Sequence, residues 1–187
     1  MDEKAFLDNY FQRYREAIFN TGVYDSLLQA RDRLLTVKED GKKMILAGNG
    51  ASASIAAHGA VDFTKQAGVR SISFNEAALI TAFANDYGYE HWVQKALEVH
   101  ADPGDVVLLI SSSGKSPNIV NAARYSRETG NSVISFSGFD AGNPLRENGD
   151  INFWVDSKAY NVIENTHSIW MLTICDLLIG KAEYAVS

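Results

Sequence analysis

From Lys42 onward the chain keeps one rhythm: a short apolar run, a turn rich in Gly, Ser or Asn, then a helical stretch. "KKMILAG" reads as a buried strand, and "SASIAAHGAVDFTKQAG" as a helix that Gly68 closes. "VRSISF" is a second strand, followed by helical "EAALITAFA" and "YEHWVQKALEVHA". "DVVLLI", "SVISFSG" and "INFWV" supply three more strands; "SPNIVNAARYSRETG" is a helix closed by Gly130, and a long helix runs from about Val162 to Ile179. Strands this short and this continuously apolar belong to sheets buried on both faces, and their alternation with helices specifies parallel pairing. The fold class is therefore α/β, a three-layer sandwich around a five-stranded parallel sheet.

Two helices precede it. Phe6, Tyr10, Phe11, Tyr14 and Ile18 recur at helical spacing, as do Tyr24, Leu27, Leu28, Leu34 and Leu35, with Thr21-Gly22 between the two sets. Their aromatic stripe is packing surface, rich enough to serve in part against another subunit. The expected organisation is a single domain over 1–187: a helical hairpin at 1–38 used in oligomer packing, and an α/β core at 39–187. Neither a solenoid repeat nor a low-complexity tract nor a linker interrupts it.

A net charge of -6 without any cluster of Lys and Arg argues against nucleic acid as a partner. The single cysteine, Cys175, lies in an apolar stretch, reads as a buried inert thiol, and has no internal disulfide partner. The N-terminal "MDEKAFLDNYFQRY" is charged and amphipathic, unlike a signal peptide, and no apolar run reaches the roughly 18 residues of a membrane span. These features lead us to expect a soluble, cytoplasmic protein with no membrane partner.

Open sheets of this kind bind ligands outside the carboxyl ends of their strands, where the strand order reverses. The loops that matter are then "GNGASAS" (48–54) and "SSSGKS" (111–116). The second ends like a nucleotide-binding P-loop, G-x-x-x-x-G-K-[ST], but the place of that motif's first glycine is Leu109, inside a strand. A wrapped phosphate loop cannot form there. Gly48-x-Gly50-x-x-Ala53, with Glu76 further on, resembles the dinucleotide fingerprint; five strands leave little room for two mononucleotide-binding halves, so no nucleotide cofactor is expected. What remains is a helix start, Ser116 capping and Pro117 in the first turn, preceded by Ser111, Ser112, Ser113 and Gly114. Hydroxyls, an unobstructed backbone and a helix N-terminus together suit a phosphate group.

"GNGASAS", "ANDYGY", "ISSSGKS" and "SFSGFDAG", in that order, resemble the sugar isomerase (SIS) domain, and within it the phosphoheptose (sedoheptulose 7-phosphate) isomerases. The resemblance covers nearly the whole chain. It implies a flavodoxin-like SIS fold, a sugar phosphate as ligand, and a homotetramer (or dimer) with sites at subunit interfaces. By carry-over, Ser52, Ser111, Ser113 and Ser116 hold the phosphate together with the neighbouring Gly50 and Ser112, while Asn49 and Asp86 touch the sugar. The family's catalytic pattern is incomplete here. Its helical His and Glu, four residues apart, become His58 and Asp62; its final-helix Gln and His, eight residues apart, become Glu164 and Leu172. Leucine can neither accept nor donate a proton.

An aldose–ketose isomerase needs a base beside one of two adjacent carbons, something that polarises the carbonyl, and often a group that opens the ring. Glu164 is the preferred base, with His167 as ring opener or proton relay and Asp62 as a third catalytic candidate. His58, Asp62 and Glu164 could together hold Zn2+ as a Lewis acid; the alternative is that His58 and Asp62 form a plain hydrogen-bonded pair. His91 and His100 read as surface or packing residues. The expected function is an aldose–ketose isomerase acting on a heptose phosphate. The alternative is a non-catalytic SIS phosphosugar-binding protein resembling the replication initiator-associating protein, which Leu172 and the following "TICDLL" also fit.

Overall fold

The computed structural model describes residues 2–183. Its five strands are β1 (Met44–Gly48), β2 (Ser71–Ser73), β3 (Val106–Ser111), β4 (Ser132–Gly138) and β5 (Ile151–Val155), all parallel, in the order β2-β1-β3-β4-β5. The chain runs from β1 outward to β2, then returns across β1 to β3. The order therefore reverses between β1 and β3, as the two-loop reading requires.

The helices are α1 (Glu3–Ile18), α2 (Tyr24–Glu39), α3 (Ala51–Lys65), α4 (Ala77–Tyr87), α5 (Trp92–His100), α6 (Pro117–Glu128), α7 (Pro144–Glu147) and α8 (Tyr160–Ile179). Side chains along β1 and β3 alternate between two cores, because successive strand residues point to opposite faces. Met44, Leu46, Val106, Leu108 and Ile110 meet α2, α3 and α8 on one side. Ile45, Ala47, Val107 and Leu109 meet α5 and α6 on the other. Both faces are dry, which is why these strands carry no polar–apolar alternation.

The N-terminal pair is less of a unit than the sequence implied. Leu27, Ala30, Leu34 and Val37 of α2 are buried in the same core as α8. No residue of α1 is buried, and it touches α8 through a hydrogen bond from Asn165 to the Tyr14 hydroxyl. α2 thus belongs to the α/β core, and α1 presents an open aromatic face. The last helix starts at Tyr160, two residues ahead of the expected position, and α7 is an added turn closed by Asn143, whose side chain accepts from the Arg146 amide.

At the sheet's carboxyl edge two glycines allow close approach. A Cβ on Gly48 would lie 2.6 Å from the Ser52 backbone, so β1 can turn directly into α3. Gly114 sits at φ +66°, and a Cβ there would fall 1.9 Å from Oδ1 of the buried Asn143. That carboxamide donates to Ser137 Oγ and to the Asp140 carbonyl, so it cannot step aside.

Candidate active site

The loops after β1 and β3, together with the first turns of α8, enclose a cleft of about 180 Å³. Asn49, Ser52, Ser111, Ser112, Ser113, Ser116, Tyr160 and Glu164 line it. Six of these eight are among the predicted phosphate- and sugar-binding positions, and Glu164 is the predicted base. α3 and α6 begin at its edge, so two helix N-termini point their partial positive charge inward. Among the described residues no Lys or Arg lines the cleft. Lys115 of the loop instead pairs with Asp140 and holds that carboxyl below the usual carboxylate range. An anion here would be met by hydroxyls, amides and helix ends.

The hydroxyls are pre-arranged. Ser111 and Ser116 share a hydrogen bond of 3.0 Å, and Ser113 Oγ accepts from the Lys115 amide at 3.2 Å. Ser116 was expected to cap α6 with its side chain; it makes no such bond, and only its carbonyl takes the Ile119 and Val120 amides. The hydroxyl is turned to Ser111 and the cleft instead. Gly50 is the residue before α3 and takes φ +56°, a conformation other residues adopt at a cost.

Asn49 is fixed by residues the sequence reading did not single out. Its carboxamide and that of the buried Asn118 exchange two hydrogen bonds of 2.9 Å each, and Tyr89 donates to Asn49 Oδ1 at 3.1 Å. Asn118 stands two residues after Ser116, so the pair ties the β1 loop to the start of α6. Tyr160 was also missed, because the apolar period of the last helix begins at Val162 and gives no sign of the turn before it. Its ring packs 5.1 Å from Phe139, the one non-glycine with positive φ (57°) among the described residues.

Glu164 is half-buried on the same face of α8 and accepts from Ser112 Oγ at 3.3 Å. The other catalytic candidates do not join it within this chain. His167 is 0% exposed; its Nε2 donates to the Ser137 carbonyl at 3.0 Å and its ring stands edge-on to Phe136. Burial pushes its pKa down to about 4. It does not line the cleft, so within this chain it is not placed to open a ring or relay a proton there. Asp62 lies ten residues beyond Ser52 on α3, about 15 Å along the axis at the helical rise of 1.5 Å per residue. It pairs with the exposed His58 at 3.1 Å and neighbours Cys175 and Asp176. Asp86, expected at the sugar, is exposed at the end of α4 outside the cleft, where Asn85 donates to it.

The three-residue metal set is likewise not assembled. Among the described residues no three His, Cys, Asp or Glu side chains are grouped so as to hold a metal ion, and Glu164 sits at the serine loop, away from His58 and Asp62. Zinc takes three or four protein donors. Two from one helix do not fit it in this protomer.

The whole arrangement has known counterparts. A family profile described as the SIS domain matches residues 8–138. This chain belongs to the SIS-domain family. The phosphoheptose isomerase of Aliarcobacter butzleri is 34% identical over 152 residues, covering 78% of this chain and 80% of that protein. A probable phosphoheptose isomerase of Thermoplasma acidophilum is 30% identical over 188 residues, covering 97% of this SIS protein and all of its relative. Among solved structures, a phosphoheptose isomerase from Francisella tularensis superposes with a TM-score of 0.85 at 26% identity, covering 97% of this chain and 100% of that one. The α/β fold read from the SIS chain's strand rhythm is the fold of these enzymes.

Proposed function

We propose that this SIS protein is a phosphosugar isomerase that interconverts the ketose and aldose forms of a heptose phosphate of the sedoheptulose 7-phosphate type. The observation that carries the reading is a serine-lined cleft, bounded by two helix N-termini, with a carboxylate on its wall. The serines hold the phosphate and orient the chain of the sugar, which converts proton transfer into a step within one complex. Glu164 removes the proton from the carbon next to the carbonyl and returns it to the neighbouring carbon. The relatives named phosphoheptose isomerase support this substrate class.

A cleft of about 180 Å³ is smaller than the roughly 300 Å³ at which pockets for small ligands begin. Its serine turn accommodates the phosphate, and the sugar chain runs past Glu164 and Tyr160 at the cleft's other wall, beyond the space that one chain encloses. The reading therefore includes a homo-oligomer, a tetramer by resemblance, in which a partner subunit completes the wall.

The test is incubation of the purified protein with sedoheptulose 7-phosphate, followed by NMR. A new aldose phosphate, lost in Glu164→Gln by about a hundredfold or more, supports the isomerase. Leu172, half-buried against the apolar core where the isomerase pattern carries a histidine, favours the second reading, a sugar-phosphate-binding protein without turnover. Calorimetric binding with no conversion would establish that reading instead.

A further inference from the structure

An isomerase needs a partner for its base: a group that hydrogen-bonds the carbonyl oxygen and protonates it as the adjacent carbon loses its hydrogen. In this chain the histidine expected for that work is Leu172, and His167 is sealed under the sheet edge and bonded to the Ser137 carbonyl. The cleft itself contains a substitute. Tyr160 lines it beside the serine loop, and at i and i+4 on α8 Tyr160 and Glu164 share one helical face. Tyr160 is 57% exposed, and its ring is braced by that of Phe139, 5.1 Å away between centroids. Its hydroxyl makes no hydrogen bond among the described residues, unlike those of Tyr10, Tyr14 and Tyr89. Phe139 adopts φ 57°, a left-handed conformation that costs a bulky residue about 1–3 kcal/mol and that marks backbones held in place for a use.

Resting on the isomerase reading above, we infer that Tyr160 is the catalytic acid that works opposite Glu164. With the phosphate seated on Ser111, Ser113 and Ser116, Glu164 takes a proton from C1 of the ketose. The C1–H electron pair becomes the C1=C2 double bond, and the carbonyl oxygen at C2 takes the phenolic proton of Tyr160. The enediol then loses its C1 hydroxyl proton to the Tyr160 oxygen, and Glu164 returns its proton to C2. The aldose leaves with both side chains in their starting forms. No metal, redox partner or co-reactant enters the balance.

The experiment compares Tyr160→Phe with the unaltered protein, both full-length, in sedoheptulose 7-phosphate turnover and in calorimetric binding. Tyr160→Phe keeps the ring and its packing on Phe139, so kcat falls by about a hundredfold or more while the affinity for inorganic phosphate and the melting temperature stay unchanged. A fluorinated tyrosine at position 160, whose phenol is more acidic, moves the alkaline limb of the kcat–pH profile to lower pH, which a packing role would not do. A Tyr160→Phe protein that turns over within twofold of the original overturns the assignment and leaves the isomerase standing. An original protein that converts no sugar phosphate overturns both.

Discussion

His167 shows how far burial alone can redirect a side chain. A histidine three residues after Glu164 on one helix is a natural acid–base candidate on spacing, since i and i+3 positions are neighbours. Here β4 ends directly beneath it, and the Ser137 carbonyl accepts a hydrogen bond from its Nε2. Its folded pKa of about 4 lies below the ordinary histidine value, so the unfolded chain binds more protons wherever the two differ. Stability is therefore complete above about pH 6.5 and is lost as the pH falls toward 4, on the order of 3 kcal/mol in all. Urea titrations across that window should show this slope flattened in His167→Gln, while the isomerase rate at pH 7 changes little. Cys175 follows the same logic with opposite sign: burial, then Asp62 and Asp176, push its thiol up to about 12. That agrees with an inert thiol.

At the scale of the element, the first turn of α6 has two tasks, and its serine performs only one of them. Ser-Pro at a helix start ordinarily means a side-chain cap contributing about 1 kcal/mol. Ser116 makes no cap bond and bonds Ser111 at 3.0 Å. Ser116→Ala should thus cost under about 0.5 kcal/mol in urea unfolding, less than a lost cap. The same variant should weaken inorganic phosphate binding several-fold in calorimetry. A full cap's worth of destabilisation with unchanged phosphate affinity would show that the hydroxyl serves the helix. The Asn49–Asn118 pair is the companion device: it ties the position of the β1 loop to the start of α6.

For the molecule as a whole, the feature that stands out is the exposed aromatic face of α1. Phe6, Leu7 and Phe11 are exposed in a helix that buries no residue, Phe11 by 63%, and Phe19 just after it is exposed by 75%. In the homo-oligomer of the proposed function, this aromatic face is the surface offered for assembly. Phe11→Lys should shift sedimentation velocity from an oligomer toward a monomer and raise KM for the sugar phosphate, because the completing wall departs. Inorganic phosphate, held within one chain, should bind as before. An unaltered sedimentation profile would move the assembly surface elsewhere. Among the described residues no helix is long and apolar enough to cross a membrane, and the apolar face of α1 is a stripe rather than a span.

The strand rhythm, the reversal of order between β1 and β3, and the serine-rich turn beside the sheet's carboxyl edge were legible before any coordinates, because they rest on local chemistry: apolar runs, glycine turns and helix starts are written in neighbouring residues. The serines fell together because consecutive positions of one loop cannot separate far. The remainder depended on contacts between residues distant along the chain. Whether His167 faces ligand or core is set by where β4 ends, and whether Asp62 reaches Glu164 is set by how far α3 carries it from the cleft. Tyr160 enters the cleft because α8 starts a turn earlier than its apolar period reveals, and its ring then rests on a residue twenty-one positions away in the loop after β4. Local pattern specifies which groups a chain can offer; only packing decides which of them meet, since burial, helix phase and strand ends are properties of the assembled sheet.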